Sequence, residues 1–270
     1  MKKIIVALLA MVTLTALACK KSDPAPDQKK PTVVLVHGSW QAPFVWASVA
    51  SSLQQQGYTV VTVQLPAHGS DQTPVAGLTL TSYRDKVLAA INAQPASQVI
   101  LVGHSLGGAI ISEVAEAAPN KIAKLVYVAG FLPTNQQSVF DLAQQDTQAL
   151  LGPATSFSAD GSLAKVDPAQ LLNIFCQDGS PAVQQQLQAN YRDEPVAPLA
   201  EKLTLSAANF GRVPKYYVRT QQDHAISPSL QDLMLKATPV LKEYSLNSGH
   251  TPQLSKPDEL SSILTSIAQL

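Results

Sequence analysis

Two patterns of apolar residues alternate along most of this chain. Short continuous apolar runs are typical of parallel strands that are buried on both faces, and apolar residues spaced three or four apart indicate helices. The predicted strands are Thr32–Val36, Tyr58–Leu65, Val99–Val102, Lys124–Ala129, Lys215–Thr220 and Val240–Ser245. The predicted helices are Ala42–Gln56, Leu80–Gln94, a stretch that begins after Ser105, Pro228–Lys236 and Lys256–Ala268. This alternation predicts an α/β fold with a mostly parallel central sheet flanked by helices.

The alternation stops between residues 131 and 212, a stretch rich in Gln, Ala, Asp and Pro. Its helical pieces are predicted at Ser138–Leu150, Pro168–Cys176 and Pro181–Asn190, and it carries no strand signal. About eighty residues are too many for a simple loop. We therefore expect a helical cap insertion that covers the mouth of the sheet and selects the substrate.

The first 30 residues have the pattern of a targeting segment. Residues 1–18 combine a basic start, an apolar stretch and an Ala16-Leu17-Ala18 cleavage site, as in a signal peptide. Cys19 follows directly, and residues 19–30 form a polar, Pro-rich tether. The arrangement resembles a bacterial lipoprotein signal with Cys19 lipidated, although Ala16 stands where such signals usually carry leucine. We expect export and a membrane-anchored lipoprotein in the cell envelope, or, after ordinary cleavage, a periplasmic or secreted protein.

Composition then limits the partners of the remaining domain, residues 31–270. The formal net charge is zero, so no long-range field attracts nucleic acid. No His, Cys or Asp cluster has the spacing of metal ligands, and no Gly-rich phosphate loop is present, so no cofactor is expected. Cys176 is interpreted as a small buried apolar residue. The expected ligand is a small, mostly neutral molecule.

Candidate chemistry centres on Ser105. Gly103-His104-Ser105-Leu106-Gly107 fits G-x-S-x-G, in which a serine sits on a strained strand-to-helix turn above the sheet. A side chain at either glycine would collide with the neighbouring backbone. Ser105 is therefore the candidate nucleophile.

A serine hydroxyl needs a base, and the base needs an orienting acid. His250 and Asp223 each follow a predicted strand, at the sheet edge where ligands of parallel sheets bind. They are the candidate base and acid, in the chain order Ser, Asp, His. The other histidines at 37, 68, 104 and 224 are weaker candidates for the base, and Asp141 and Asp146 are alternatives for the acid.

An ester's oxyanion also needs aimed donors. The backbone N–H of Leu106, just after the nucleophile, is one candidate, and that of Ser39, in the turn after the first strand, is the other. Gly38 would provide space beside it. Trp40 is a candidate pocket residue.

Taken together, these motifs resemble the α/β-hydrolase superfamily, and within it the plant methylesterase and hydroxynitrile lyase group. The resemblance covers Pro31–Leu270 and is carried by VVLVHGSW, VGHSLGG, AGFLP, FGRVP with YYVRTQQDHAIS, and GHTPQLSKP. It implies the α/β-hydrolase fold and catalysis by Ser105, Asp223 and His250.

The same resemblance bears on the reaction. Lyases of the group typically carry threonine where Gly38 stands and lysine where Thr251 stands. Both positions are candidate pocket residues, and both favour the esterase branch. A dehalogenase would need aspartate at the position of Ser105. We expect a serine esterase for small carboxylic esters. The alternatives are a carbon-carbon lyase or lactonase using the same triad, and a slow-turnover protein that binds a small ligand.

Overall fold

The computed structural model describes residues 30–270, and the predicted signal peptide, Cys19 and most of the tether lie outside that range. The strands are β1 Thr32–Val36, β2 Thr59–Val63, β3 Val99–His104, β4 Ile122–Val128, β5 Thr155–Phe157, β6 Leu163–Val166, β7 Glu194–Pro195, β8 Lys215–Thr220 and β9 Lys242–Leu246. The helices are α1 Ala47–Gln55, α2 Leu80–Asn92, α3 Leu106–Ala117, α4 Val139–Ala143, α5 Leu151–Ala154, α6 Leu171–Phe175, α7 Pro181–Ala189, α8 Val196–Ala200, α9 Pro228–Ala237, α10 Pro252–Ser255 and α11 Pro257–Gln269.

Six strands form the central sheet in the order β2-β1-β3-β4-β8-β9. All neighbours pair in parallel, which confirms the predicted sheet. The strands at its centre are mainly apolar because both faces are covered. In β1, Val34 and Val36 join the core on one face, whereas Val33 and Leu35 join the core on the other.

Helices cover both faces of this sheet. Side chains of α2, α3 and α9 belong to one core, and those of α1 and α11 belong to the other. The predicted helix at residues 42–56 begins with a 3-10 turn, Pro43–Trp46, before α1. The sheet places the carboxyl ends of its parallel strands along one edge, where the cap lies.

The segment between β4 and β8 corrects one expectation. It contains helices α4 to α8, but also a three-stranded antiparallel sheet in the order β5-β6-β7, where we expected no strand. The strands are only two to four residues long, too short to show a pattern of alternation. Asp160-Gly161, with a φ of +70° at the glycine, is the turn signal between β5 and β6.

Within residues 30–270, no helix is both long and apolar enough to cross a bilayer.

Candidate active site

Ser105 occupies the sharp turn between β3 and α3. Its φ of +53° and ψ of −122° lie outside the regions that non-glycine residues usually adopt, as the predicted strained elbow requires. The flanking glycines have no room for a side chain. A Cβ at Gly103 would lie 2.3 Å from the carbonyl oxygen of Gly107, and one at Gly107 would lie 2.8 Å from that of Val36.

His250 and Asp223 meet in the structure. The Nδ1 atom of His250 lies 3.0 and 2.9 Å from the two carboxylate oxygens of Asp223, and both residues are buried. Three further donors fix the carboxylate, which accepts the amides of Ala225 and Ile226 at 2.8 Å and the Thr220 hydroxyl at 2.7 Å. A carboxylate facing Nδ1 makes that nitrogen the proton donor. The Nε2 atom of His250 is then free of its proton and can act as a base.

His104 connects the elbow to the loop of the candidate base. Its Nε2 atom donates to the backbone carbonyl of His250 at 2.9 Å, and the two ring centroids lie 4.7 Å apart. Burial, followed by the proximity of His250, holds the pKa of His104 well below its usual value. His104 is therefore a neutral structural residue that joins the Ser105 turn to the loop of His250.

The turn after β1 lies directly against Ser105. A Cβ added at Gly38 would be 2.6 Å from the Cβ of Ser105, so Gly38 supplies space for the nucleophile. His37 accepts the Leu65 amide at Nε2, at 3.3 Å, and donates from Nδ1 to the Gly38 carbonyl at 2.9 Å. Burial, assisted by His68, lowers the pKa of His37 to about 3, so it is a neutral structural residue.

A cavity of about 330 Å³ opens above Ser105, with Ser39 and Trp40 in its lining. Its wall is mainly apolar and includes Phe131, Val139, Phe140, Leu151, Phe157 and Leu199. Leu106, whose amide is the other candidate oxyanion donor, is buried at the start of α3. Among the described residues that line the cavity, Asp146 alone carries a formal charge.

Two candidate pocket residues lie outside the cavity lining. Gly38 packs against Ser105 and is outside the cavity lining. Thr251 is fully buried and its hydroxyl donates to the carbonyl of Phe175, so the expectation that it lines the pocket is corrected.

The alternative acids and bases have other partners. Asp141 accepts the backbone amide of Ser138, the residue at the N-terminal cap of α4. Asp146 accepts the amide and the hydroxyl of Ser227. The Nδ1 atom of His224 faces the Asn173 carbonyl. Cys176 is buried, and burial raises the pKa of its thiol to about 12.

Sequence reasoning missed one contact near the site, the buried pair of His68 and Glu194. The two residues are 126 positions apart and no local pattern links them. In the part of the chain that the structure describes, no group of three or more His, Cys, Asp or Glu residues is placed to hold a metal ion.

Comparisons with known proteins identify the family. The model of the family described as "Alpha/beta hydrolase family" matches residues 33–263. The chain is 34% identical to "Putative methylesterase 11, chloroplastic" of Arabidopsis thaliana over 255 residues, 88% of this chain and 64% of that protein. It is 30% identical to an alpha-hydroxynitrile lyase of the same plant, with 89% of this chain and 98% of that protein covered.

A solved structure shows the same fold. The crystal structure of polyneuridine aldehyde esterase superposes with a TM-score of 0.81 at 21% sequence identity, and the match covers 88% of this chain and 99% of that one.

Proposed function

This chain belongs to the alpha/beta hydrolase family, and from that premise we propose that it is a serine hydrolase that cleaves small carboxylic esters. One observation carries the proposal. Ser105 lies on a strained turn at an apolar cavity, and His250, hydrogen-bonded to Asp223, contacts His104, the residue before the serine. The similarity to proteins named methylesterases supports ester cleavage.

In this mechanism Ser105 attacks the ester carbonyl while His250 takes the serine proton. Asp223 holds the imidazole in the tautomer with hydrogen on Nδ1 and stabilises the imidazolium that forms. The amides of Ser39 and Leu106 donate to the oxyanion. His250 returns the proton to the departing alcohol, and water then hydrolyses the acyl-enzyme.

The cavity supports this substrate class. A mainly apolar wall and a volume of about 330 Å³ suit a small apolar or aromatic ester. Asp146 is the one charged side chain among the described residues of the lining, and it is hydrogen-bonded to Ser227. These residues therefore offer no free charged group to bind a charged ester.

A panel of p-nitrophenyl esters assayed on the wild type and on Ser105→Ala tests the proposal. We expect the variant to lose at least about 10³-fold in kcat, because removing the nucleophile leaves only binding and oxyanion stabilisation. Ser112→Ala, on the same helix but with its hydroxyl bound to Tyr127 and Gly108, is the matched control. Equal activity in wild type and Ser105→Ala would exclude this mechanism.

A lyase reaction is the second candidate, because one relative is named an alpha-hydroxynitrile lyase. Gly38 and Thr251 disfavour it: the former has no room for a threonine side chain, and the latter is a buried neutral residue. Release of cyanide from mandelonitrile, measured beside ester and lactone hydrolysis, separates the three reactions. A ligand that raises the melting temperature at one-to-one stoichiometry while no substrate is consumed would instead favour a binding protein.

We also propose export, with residues 1–18 as a signal peptide and Cys19 as a lipidated residue. Support comes from the basic start, the apolar stretch and the cysteine after the cleavage site. Expression of the full chain in a Gram-negative bacterium, with intact mass and membrane partition measured, tests it. We expect a diacylglyceryl mass increase that Cys19→Ser removes. A soluble, unmodified mature chain would refute lipidation.

A further inference from the structure

Trp40, the residue after the candidate oxyanion donor Ser39, has a φ of +59°. A residue with a side chain adopts this left-handed conformation only at a cost in conformational energy. Trp40 makes three hydrogen bonds to the cap. Its amide donates to Oε2 of Glu194 at 2.9 Å, its carbonyl accepts the Arg192 amide at 3.3 Å, and its indole donates to the Ala164 carbonyl at 3.0 Å. The cap therefore holds this strained residue in place.

Glu194 is itself fully buried and has a second donor. Its Oε2 atom also lies 2.8 Å from Nε2 of His68, a core residue in the loop after β2. The Nδ1 atom of His68 lies 2.8 Å from the carbonyl of Pro66, so both ring nitrogens face acceptors and both donate. Burial opposes the charge on His68, but Glu194 outweighs it and raises the pKa of His68. The carboxylate is thus held between the His68 ring and the Trp40 amide.

These contacts set the direction of the Ser39 N–H. The peptide units on both sides of Ser39 are trans. His37 donates to the Gly38 carbonyl. The N–H of Ser39 belongs to the same trans peptide unit and therefore points in the direction opposite to that carbonyl. The next peptide unit is fixed by the bond from its N–H, that of Trp40, to Glu194. His37 and Glu194 together therefore fix both peptide planes at Ser39.

We propose that Glu194 is a positioning residue of the oxyanion hole, through which the cap holds the Trp40 amide and thereby aims the Ser39 N–H at the reacting carbonyl. The inference rests on the proposed function, in which that N–H stabilises the oxyanion. Without the acceptor at position 194, the strained Trp40 peptide can relax and the Ser39 N–H turns away. Transition-state stabilisation then falls, whereas binding of the uncharged ester in the apolar cavity does not depend on this contact.

The test compares Glu194→Ala and Glu194→Gln with the wild type on a p-nitrophenyl ester. Loss of a direct oxyanion donor costs about 10²- to 10³-fold in kcat, so we expect the indirect loss in Glu194→Ala to be about 10- to 100-fold, with KM changed less than about threefold. Glu194→Gln can present its amide oxygen to Trp40 and should recover most of kcat. The inhibition constant of a phenylboronic acid, whose Ser105 adduct places an oxygen in the hole, should rise in parallel with the loss of kcat.

Glu201→Ala is the matched control, because Glu201 also joins the cap to the core, through the amide of Leu80 and the hydroxyl of Thr81, away from the oxyanion turn. It should lower the melting temperature and leave kcat and the boronic acid constant unchanged. If Glu194→Ala does not fold, Glu194→Met, which fills the volume without an acceptor, replaces it. The inference would be overturned if the Glu194 variant that folds keeps the wild-type kcat. It would also be overturned if that variant and Glu201→Ala lose kcat equally. Wild-type activity that does not depend on Ser105 would refute the proposed function instead.

Discussion

Gly38 shows how tightly a single position controls the nucleophile. Its Cα lies so close to Ser105 that an added Cβ would be 2.6 Å from the serine Cβ and 3.0 Å from the carbonyl oxygen of His104. Neither neighbour is the flexible end of a side chain, so the turn or the elbow must move. The residue type at position 38 therefore acts on catalysis through the position of Ser105.

We predict that Gly38→Ala lowers kcat of ester hydrolysis by roughly 10- to 100-fold, because a displacement of even about 1 Å at a reacting group can cost 10²-fold. KM should change less, since Gly38 does not line the cavity. Gly211→Ala, whose Cβ would lie 3.3 Å from its nearest neighbour, is the control and should keep wild-type kcat. A kcat for Gly38→Ala within twofold of the wild type would contradict the prediction.

At the scale of elements, the sheet supplies the reacting groups and the cap supplies most of the cavity wall. Helix α4 contributes Phe140, whose ring meets that of Phe157 from β5 edge to face at 6.5 Å. We predict that Phe140→Ala shifts the preferred acyl chain of p-nitrophenyl esters to greater length, with each methylene that finds room adding about 0.8 kcal/mol, or roughly fourfold in kcat/KM. Leu241→Ala, at an exposed position, is the control. An unchanged chain-length profile would show that α4 does not limit the substrate.

The same division between sheet and cap explains what could be predicted from the sequence. Strands such as β3 were predictable because burial on both faces requires a continuous apolar run, and Ser105 because its turn requires glycine at fixed positions. Strand β7 was not, since it is two residues long, includes a proline and pairs only with β6. The contact between Glu194 and His68 was equally invisible, because it forms only after the cap folds back onto the core.

At the scale of the whole molecule, equal numbers of acidic and basic residues leave little net charge repulsion, so a few buried groups control the pH dependence of stability. His37 and His104 are fully buried and neutral, with the pKa of His37 lowered to about 3 and that of His104 lowered well below its usual value, first by burial and then by neighbouring histidines. Both would titrate near pH 6.5 in the unfolded chain. His68 has a raised pKa, so the stability that it contributes is fully present well below pH 6.5 and does not change with pH there.

The sign of the effect follows from proton uptake. Between about pH 5 and 6.5 the unfolded chain binds protons at residues 37 and 104 that the native state does not bind, so the free energy of unfolding falls as the pH falls. One proton corresponds to about 1.4 kcal/mol per pH unit, so two give a limiting slope of roughly 2 to 3 kcal/mol per unit. Urea unfolding at pH 5, 5.5 and 6 measures this slope, and a measurement at pH 7 gives the reference value. His37→Gln, which keeps an acceptor for the Leu65 amide, should remove about half of it, because one of the two protonations is then lost. A free energy of unfolding that stays constant from pH 7 to pH 5 would mean that these two histidines are charged in the native state.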